Sequence, residues 1–191
     1  MTLQERTTPG SAYGCDSLAR LRRVLLHRPT ALELIMAGNH EAWLFDAVPD
    51  IPAFLDEHDA YRELLEDQGV EVLELRDYLD DEAERVHRLP NLTYMHDIAV
   101  VSRRGALLSA MAGPARRGEE RVVREALQRL GVPILHEFDD PHDAFEGCLL
   151  LGPGTLLVAE TERHNAASVR RFLPKALRWF REVFVVEIPK A

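Results

Sequence analysis

Three times along the chain, a run with helical spacing of apolar side chains meets a glycine or polar break and then a short apolar run. The three stretches are "YRELLEDQGVEVLEL", "VREALQRLGVPILHEF" and "PKALRWFREVFVVEI". Apolar positions recurring at three and four residues predict an amphipathic helix, and the compact β-branched run after the break predicts a strand. In the first copy Asp50 can cap the helix and Pro52 sits in its first turn. Phe54, Leu55, Tyr61, Leu64 and Leu65 line one face, and Gly69 ends it. Residues 70–75 then read as a strand.

The second and third copies are preceded by hairpins, "IAVVSRRGALLSAM" turning at Arg104-Gly105 and "CLLLGPGTLLVAE" turning around Gly152-Pro153-Gly154. Each unit is therefore strand, strand, helix, strand. In the first copy "RLRRVLLHRP" supplies an early strand, and an irregular segment rich in Ala, Trp and Phe precedes the helix. One such unit has an apolar helix face and a small sheet and cannot bury both alone, so neighbouring units must pack around a shared centre. The expectation is an α/β propeller-like array. A doubly wound sheet is the competing arrangement, but it alternates single strands with helices and accommodates the hairpins poorly. Residues 1–17 read as a flexible leader and 18–191 as one partial propeller domain, with modules at roughly 18–80, 90–140 and 143–191.

Composition narrows the partners. The chain has 191 residues, 46% of them hydrophobic, enough to build a core. Its formal net charge of −9 argues against a nucleic-acid or anionic-membrane footprint. No run approaches the roughly 20 apolar residues of a membrane span, and the first residues lack the apolar centre of a secretory signal, so a cytoplasmic location is expected. Two cysteines, Cys15 and Cys148, are too few for a disulfide framework and lack zinc spacing. No cofactor is expected.

The candidate chemistry begins with "NLTYMHDIAVV", residues 91–101, which sets Tyr94, His96 and Asp97 at the mouth of a strand. A carboxylate there can take a planar cation through charge-assisted hydrogen bonds, or can simply bond nearby backbone amides. Arg116 and Arg117 in "GPARRGEE" precede the second helix, where cations oppose the helix dipole unless an anion is present. Either a carboxylate ligand belongs there, or both arginines are solvated and offset by Glu119 and Glu120. Cys148 opens a run of leucines and reads as packing rather than a nucleophile. "HEFDDPHD" reads as a strand end and a turn rather than a metal site. His27, His40, His58, His87 and His164 are isolated in sequence and suit structural or solvent roles.

With these residues in view, "PNLTYMHD" resembles the P-N-L-Y-F-T-R-D stretch of arginine deiminases and related guanidino-group-modifying enzymes. Other segments resemble that family in the same order. "LRRVLLHRP" and "LFDAVPDIPAFLDEHDAYRELLEDQGVEVLEL" are similar to its first module, and "ARRGEE" to its A-R-R-R-E-T. "EGCLLLGPGTLLVAETER" is similar to its E-G-G-D segment followed by E-R-T, and "VFVVEIPKA" to a strand ending in I-P-K. The resemblance covers nearly all of residues 18–191. It implies a pentein-type fan of ββαβ modules, about three of five being present, without the long helical insertion of bacterial arginine deiminases.

The resemblance also implies roles. Asp97 matches a guanidinium-binding aspartate, and Asn91 and Arg116 match groups holding the substrate's amino-acid end. Arg163 matches a second carboxylate-binding arginine, and Tyr94 takes an aromatic position beside the substrate, while His96 replaces a usual arginine. Glu146 matches the glutamate of E-G-G-D that supports catalysis, although a gapless alignment from Gly152 puts Ala144 there. Family chemistry uses a thiolate on the guanidinium carbon and a histidine that moves protons. Both belong to motifs beyond I-P-K, and this sequence ends at Ala191. The expectation is that a second polypeptide or a further C-terminal segment supplies them. The alternative is a non-catalytic subunit that binds arginine-like ligands or another protein, and a truncated product is a third explanation. In either of the first two, an open fan must be covered by a partner or by self-association. Deiminase, amidinotransferase and dimethylarginine hydrolase chemistry all remain open.

Overall fold

The computed structural model describes residues 13–14, 19–111, 113–139, 149–161 and 164–188. In chain order the elements are β1 (Arg23–Leu26), α1 (Glu33–Met36), α2 (Ile51–Asp67), β2 (Glu71–Glu74), β3 (Ala99–Ser102), β4 (Gly105–Leu108), α3 (Glu119–Arg129), β5 (Ile134–Glu137), β6 (Leu149–Gly152), β7 (Thr155–Glu160), α4 (Ala166–Ala176) and β8 (Glu182–Glu187). Short 3-10 turns at His40–Trp43, Leu75–Tyr78, Ala83–Arg88 and Met95–Asp97 fill the connections.

The described strands form three sheets. β1 pairs with β2 in parallel. The other two sheets have the orders β3-β4-β5 and β6-β7-β8. In both, an antiparallel hairpin is followed by a helix that returns the chain in parallel beside the hairpin's second strand. That is the ββαβ unit expected from the sequence, realised twice. The first unit is reduced: α1 and a 3-10 turn stand between β1 and α2, so its sheet has two strands.

Local chemistry sets the boundaries. Asp50 caps α2, its carboxylate accepting from the Ala53 amide at 3.1 Å, and Gly69 at φ +74° leads the chain into β2. The third helix of the sequence reading is displaced. Asn165 caps α4 by accepting from the Ala167 and Ser168 amides, and the helix ends at Ala176, so Pro174 lies inside its last turn. "LRWF" is then a turn rather than helix. The expected apolar face of α2 is also poorly covered: the helix has no fully buried residue, and Tyr61 and Leu64 are about half exposed. A two-stranded sheet is too narrow to cover a 17-residue helix.

Burial elsewhere follows the pattern. On α3 the buried positions are 119, 122, 123, 126 and 127, a stripe at helical spacing that packs with Leu75, Val86, Leu92, Ile98, Ala106 and Leu108. A second core gathers Leu107 and Ala110 with Leu150, Leu156, Val158, Val169 and Phe172, joining the second sheet to the third. Because β4 offers Leu108 to one core and Leu107 to the other, alternate side chains of one strand link two modules. Fully burying each large aliphatic side chain contributes about 1.5–3 kcal/mol.

The β3–β4 turn needs glycine at 105. Its φ is +137°, and an added Cβ would lie 2.3 Å from the Pro133 carbonyl oxygen, which accepts the Ala106 amide at 2.8 Å. Gly131 has φ +74° and open space around it. Urea denaturation should therefore show Gly105→Ala losing about 3 kcal/mol and Gly131→Ala about 1 kcal/mol. Equal losses would count against the tight β4–β5 approach.

Candidate functional site

The site assembles where the turn preceding β3 meets the N-terminus of α3. Asp97 closes the 3-10 turn Met95–Asp97, immediately before the buried Ile98 that anchors the start of β3. Arg116 lies in the turn leading to Gly118, whose left-handed φ of +99° starts α3 without a side-chain cap. The Gly118 amide instead donates to the Glu120 carboxylate at 3.0 Å.

Arg116 joins these segments. Its Nη1 donates to Asp97 Oδ2 at 2.7 Å, its Nε to Glu119 Oε2 at 2.9 Å and its Nη2 to the Tyr94 carbonyl at 2.9 Å. The Arg116 side chain is 9% exposed, Glu119 is wholly buried, and Asp97 is 42% exposed. The anion expected near the second helix thus belongs to the chain itself: two carboxylates meet Arg116, while Arg117 is exposed. Asp97 binds a guanidinium rather than backbone amides. Its Oδ2 is occupied, whereas Oδ1 has no partner among the described residues.

The electrostatics follow from burial. Desolvation of the Glu119 carboxyl pushes its pKa up to about 7, with Arg116 opposing and Glu120 and Asp97 adding to the rise. Its Oε1 is buried without a hydrogen-bond partner. Burial disfavours the charge of Arg116, but Glu119 and Asp97 outweigh it and raise its pKa further.

The other predicted residues are distributed unevenly. Asn91 is buried and its Nδ2 donates to the Trp43 carbonyl at 2.9 Å, so its amide braces the loop before α2. Tyr94 exposes its ring and contributes its carbonyl to Arg116. Arg163, Glu146 and Cys148 lie outside the described residues, as do Cys15, Asp140, His142 and Asp143. Among the described residues no group of three or more His, Cys, Asp or Glu could hold a metal ion, and no helix is long and apolar enough to cross a membrane. A hollow of about 90 Å³ lies beside α4, lined in part by His136, Phe138, Arg171 and Lys175 and by none of the predicted site residues.

Glu119 takes a role that sequence reading did not assign, and His27 takes a structural one whose partners the sequence does not name. Glu119 was an offsetting surface charge in that reading, although its place on the 119, 122/123, 126/127 stripe marked it as inward-facing. His27, read as isolated, is 1% exposed and bridges Glu74 at 3.1 Å and Thr30 Oγ1 at 3.0 Å, tying the ends of β1 and β2 to the following loop.

Comparison with known proteins is consistent with this architecture. A family profile described as arginine deiminase matches residues 41–88. The arginine deiminase of Mycolicibacterium gilvum is 42% identical over 74 residues, 38% of this chain and 18% of that protein. That of Streptococcus pyogenes serotype M49 is 41% identical over 69 residues, 36% of this chain and 16% of that protein. In fold, dimethylarginine dimethylaminohydrolase from Pseudomonas aeruginosa, solved with citrulline, superposes with a TM-score of 0.65 at 19% identity, over 91% of this chain and 63% of its own. An amidinotransferase from Microseira wollei gives a TM-score of 0.61 at 13% identity, over 93% of this chain and 64% of its own. The matched stretch thus spans under a fifth of the curated relatives' length, and the chain under two thirds of the solved ones.

The three-dimensional likeness defines the pentein fold of the guanidino-group-modifying enzymes. The sequence match, confined to residues 41–88 for the family profile and to 74 and 69 residues for the curated relatives, is to arginine deiminases.

The raised Glu119 carboxyl has a stability consequence. Between about pH 4.5 and 7 the folded state holds a proton that the unfolded state has released, so stability falls as pH rises through that window. The stability difference between wild type and Glu119→Gln, from urea melts, should move against wild type by about 2–3 kcal/mol from about pH 5 to about pH 8. A difference independent of pH would show that Glu119 does not titrate in this range.

Proposed function

We propose that the protein binds a guanidino compound such as arginine through Asp97 and acts in the hydrolysis or transfer of its amidino group. The observation that carries this reading is the half-exposed Asp97 carboxylate, held at Oδ2 by a buried arginine and open at Oδ1. A carboxylate so oriented can meet a second guanidinium without rearranging, so little is lost in ordering it. The local sequence similarity to arginine deiminases supports the substrate class.

In this reading Asp97 takes the guanidinium and Tyr94 flanks it. Arg116 orients Asp97, and Arg163 takes the ligand's carboxylate. Glu146 stands near the reacting carbon. The thiolate and the proton-moving histidine, in this reading, come from a further part of the protein or from a partner. Hydrolysis of arginine would release citrulline and ammonia, whereas transfer would leave ornithine and pass the amidino group to an acceptor amine.

A specific observation supports association with protein. Register places Leu149 beside Leu157 and Leu157 beside Phe184, with Val186 two residues further along β8 on the same face. Leu149, Leu151, Phe184, Val186 and Ile188 are each about half exposed. An apolar row across a three-stranded sheet, from its edge strand β6 to its other edge strand β8, marks a surface that another polypeptide or a second copy covers. The alternative function, a non-catalytic binding subunit of the same fold, uses this surface as well.

Isothermal titration with arginine should show Asp97→Asn binding about 10- to 100-fold more weakly than wild type, the size of one charge-assisted bond lost. Unchanged affinity in that variant would remove the proposal. Assays for citrulline and ornithine from arginine and from dimethylarginine, run on the same samples, separate an enzyme from a binding subunit. For the sheet face, light scattering should show Phe184→Lys with Val186→Glu as a smaller species than wild type; an identical mass for both would exclude that face as the contact.

A further inference from the structure

We propose that Glu119 is a positioning residue that sets how strongly Asp97 attracts a cation: protonated, it leaves Arg116 to Asp97 alone, and ionised, it draws Arg116 toward itself and frees the pull of Asp97. This rests on the reading of Asp97 as the guanidinium-binding group. Glu119, Arg116 and Asp97 form one line of contacts, 2.9 Å and then 2.7 Å. Arg116 cannot give up its charge, so only the two carboxylates can change the balance. With Glu119 ionised the three groups carry one net negative charge, and with it protonated they carry none. A guanidinium arriving at Asp97 Oδ1 therefore meets a more attractive site when Glu119 is ionised.

Geometry gives Glu119 this role. The residue is wholly buried, and its second oxygen, Oε1, has no partner. The anion is thus supported on one side only, by the same guanidinium that serves Asp97. Burial pushes the carboxyl up to about 7, against the pull of Arg116. The other charges around it are Glu120 on its own helix and Asp97 across the turn. Arg85, whose side chain lies against Gly118, is engaged by Glu82, which also pairs with Arg121 at 3.2 Å. By linkage, a bound cation pulls the proton off Glu119, and affinity for the cation rises with pH through neutrality.

Two measurements on the intact protein test this. The Arg116 Nε–H resonance, assigned by its loss in Arg116→Lys, should shift with an inflection near neutral pH in wild type and stay flat in Glu119→Gln. Affinity for arginine, whose guanidinium stays charged throughout, should rise about tenfold from about pH 5.5 to about pH 8.5 in wild type, and this rise should be absent in Glu119→Gln. A purely structural Glu119 would lower stability on substitution without removing either pH effect. A flat Arg116 signal in wild type overturns the inference, as does an inflection that survives Glu119→Gln or an affinity that ignores pH. If the inflection is present but Asp97→Asn binds arginine as wild type does, the assignment of Asp97 fails while the Glu119–Arg116 coupling stands.

Discussion

The described site depends on a buried cation that must be neutralised from two directions. Arg116 is nearly inaccessible to water, and a guanidinium in that position is tolerated only because Glu119, Asp97 and a backbone carbonyl meet its N–H groups. Glu119 comes from the first turn of α3, and Asp97 from the turn that starts β3. The ion pair therefore fixes where a helix of the ββαβ unit begins relative to where its first strand begins. Asp97 cannot drift without leaving Arg116 undercompensated. The site's precision comes from this electrostatic requirement more than from the loop that carries it.

The apolar packing makes that requirement enforceable. Val122, Val123, Ala126 and Leu127 lock α3 onto the second sheet, and Glu119 sits on the same stripe, so it is buried by the helix's own register. A second device holds the opposite side of α3: the Glu125 carboxylate accepts the amides of Asp80, Asp81 and Glu82, and these bonds, working against desolvation, keep it below the usual carboxylate range. That contact secures the turns connecting the first unit to the second. Where no comparable packing exists, as on α2 over its two-stranded sheet, the helix is held by its cap and by exposed pairs such as Arg28 with Asp59, worth little individually.

The repeat of hairpin, helix and strand was legible because it rests on local rules. Gly105 at the turn, the glycine after α2 and the alternating faces of β3 and β4 all announce themselves in sequence. Asp97's position at a strand mouth was equally plain. What could not be seen was pairing across space. The sequence shows Arg116 and Glu119 three residues apart, but whether a helical first-turn glutamate faces water or core depends on the sheet beneath it. His27 and Glu74 are far apart in the chain, and their bond exists only because β1 and β2 run in parallel. The third helix was misplaced for a local reason: the apolar run after Pro174 reads as helix, whereas Asn165 caps α4 nine residues earlier and Pro174 lies inside the helix near its end.

One consequence concerns how a ligand's two ends are recognised. The family resemblance assigns Arg116 to the ligand's carboxylate, but here its Nε, Nη1 and Nη2 each already donate inside the protein, to Glu119, Asp97 and the Tyr94 carbonyl. Moving it toward a ligand would strip the buried Glu119 of its counter-charge, and breaking such a pair from one side costs about 3–5 kcal/mol. A single ligand carboxylate, itself desolvated on entry, would do little more than replace what was lost. Arg116 and Asp97 are therefore better treated as one unit that presents a single oriented oxygen to a cation.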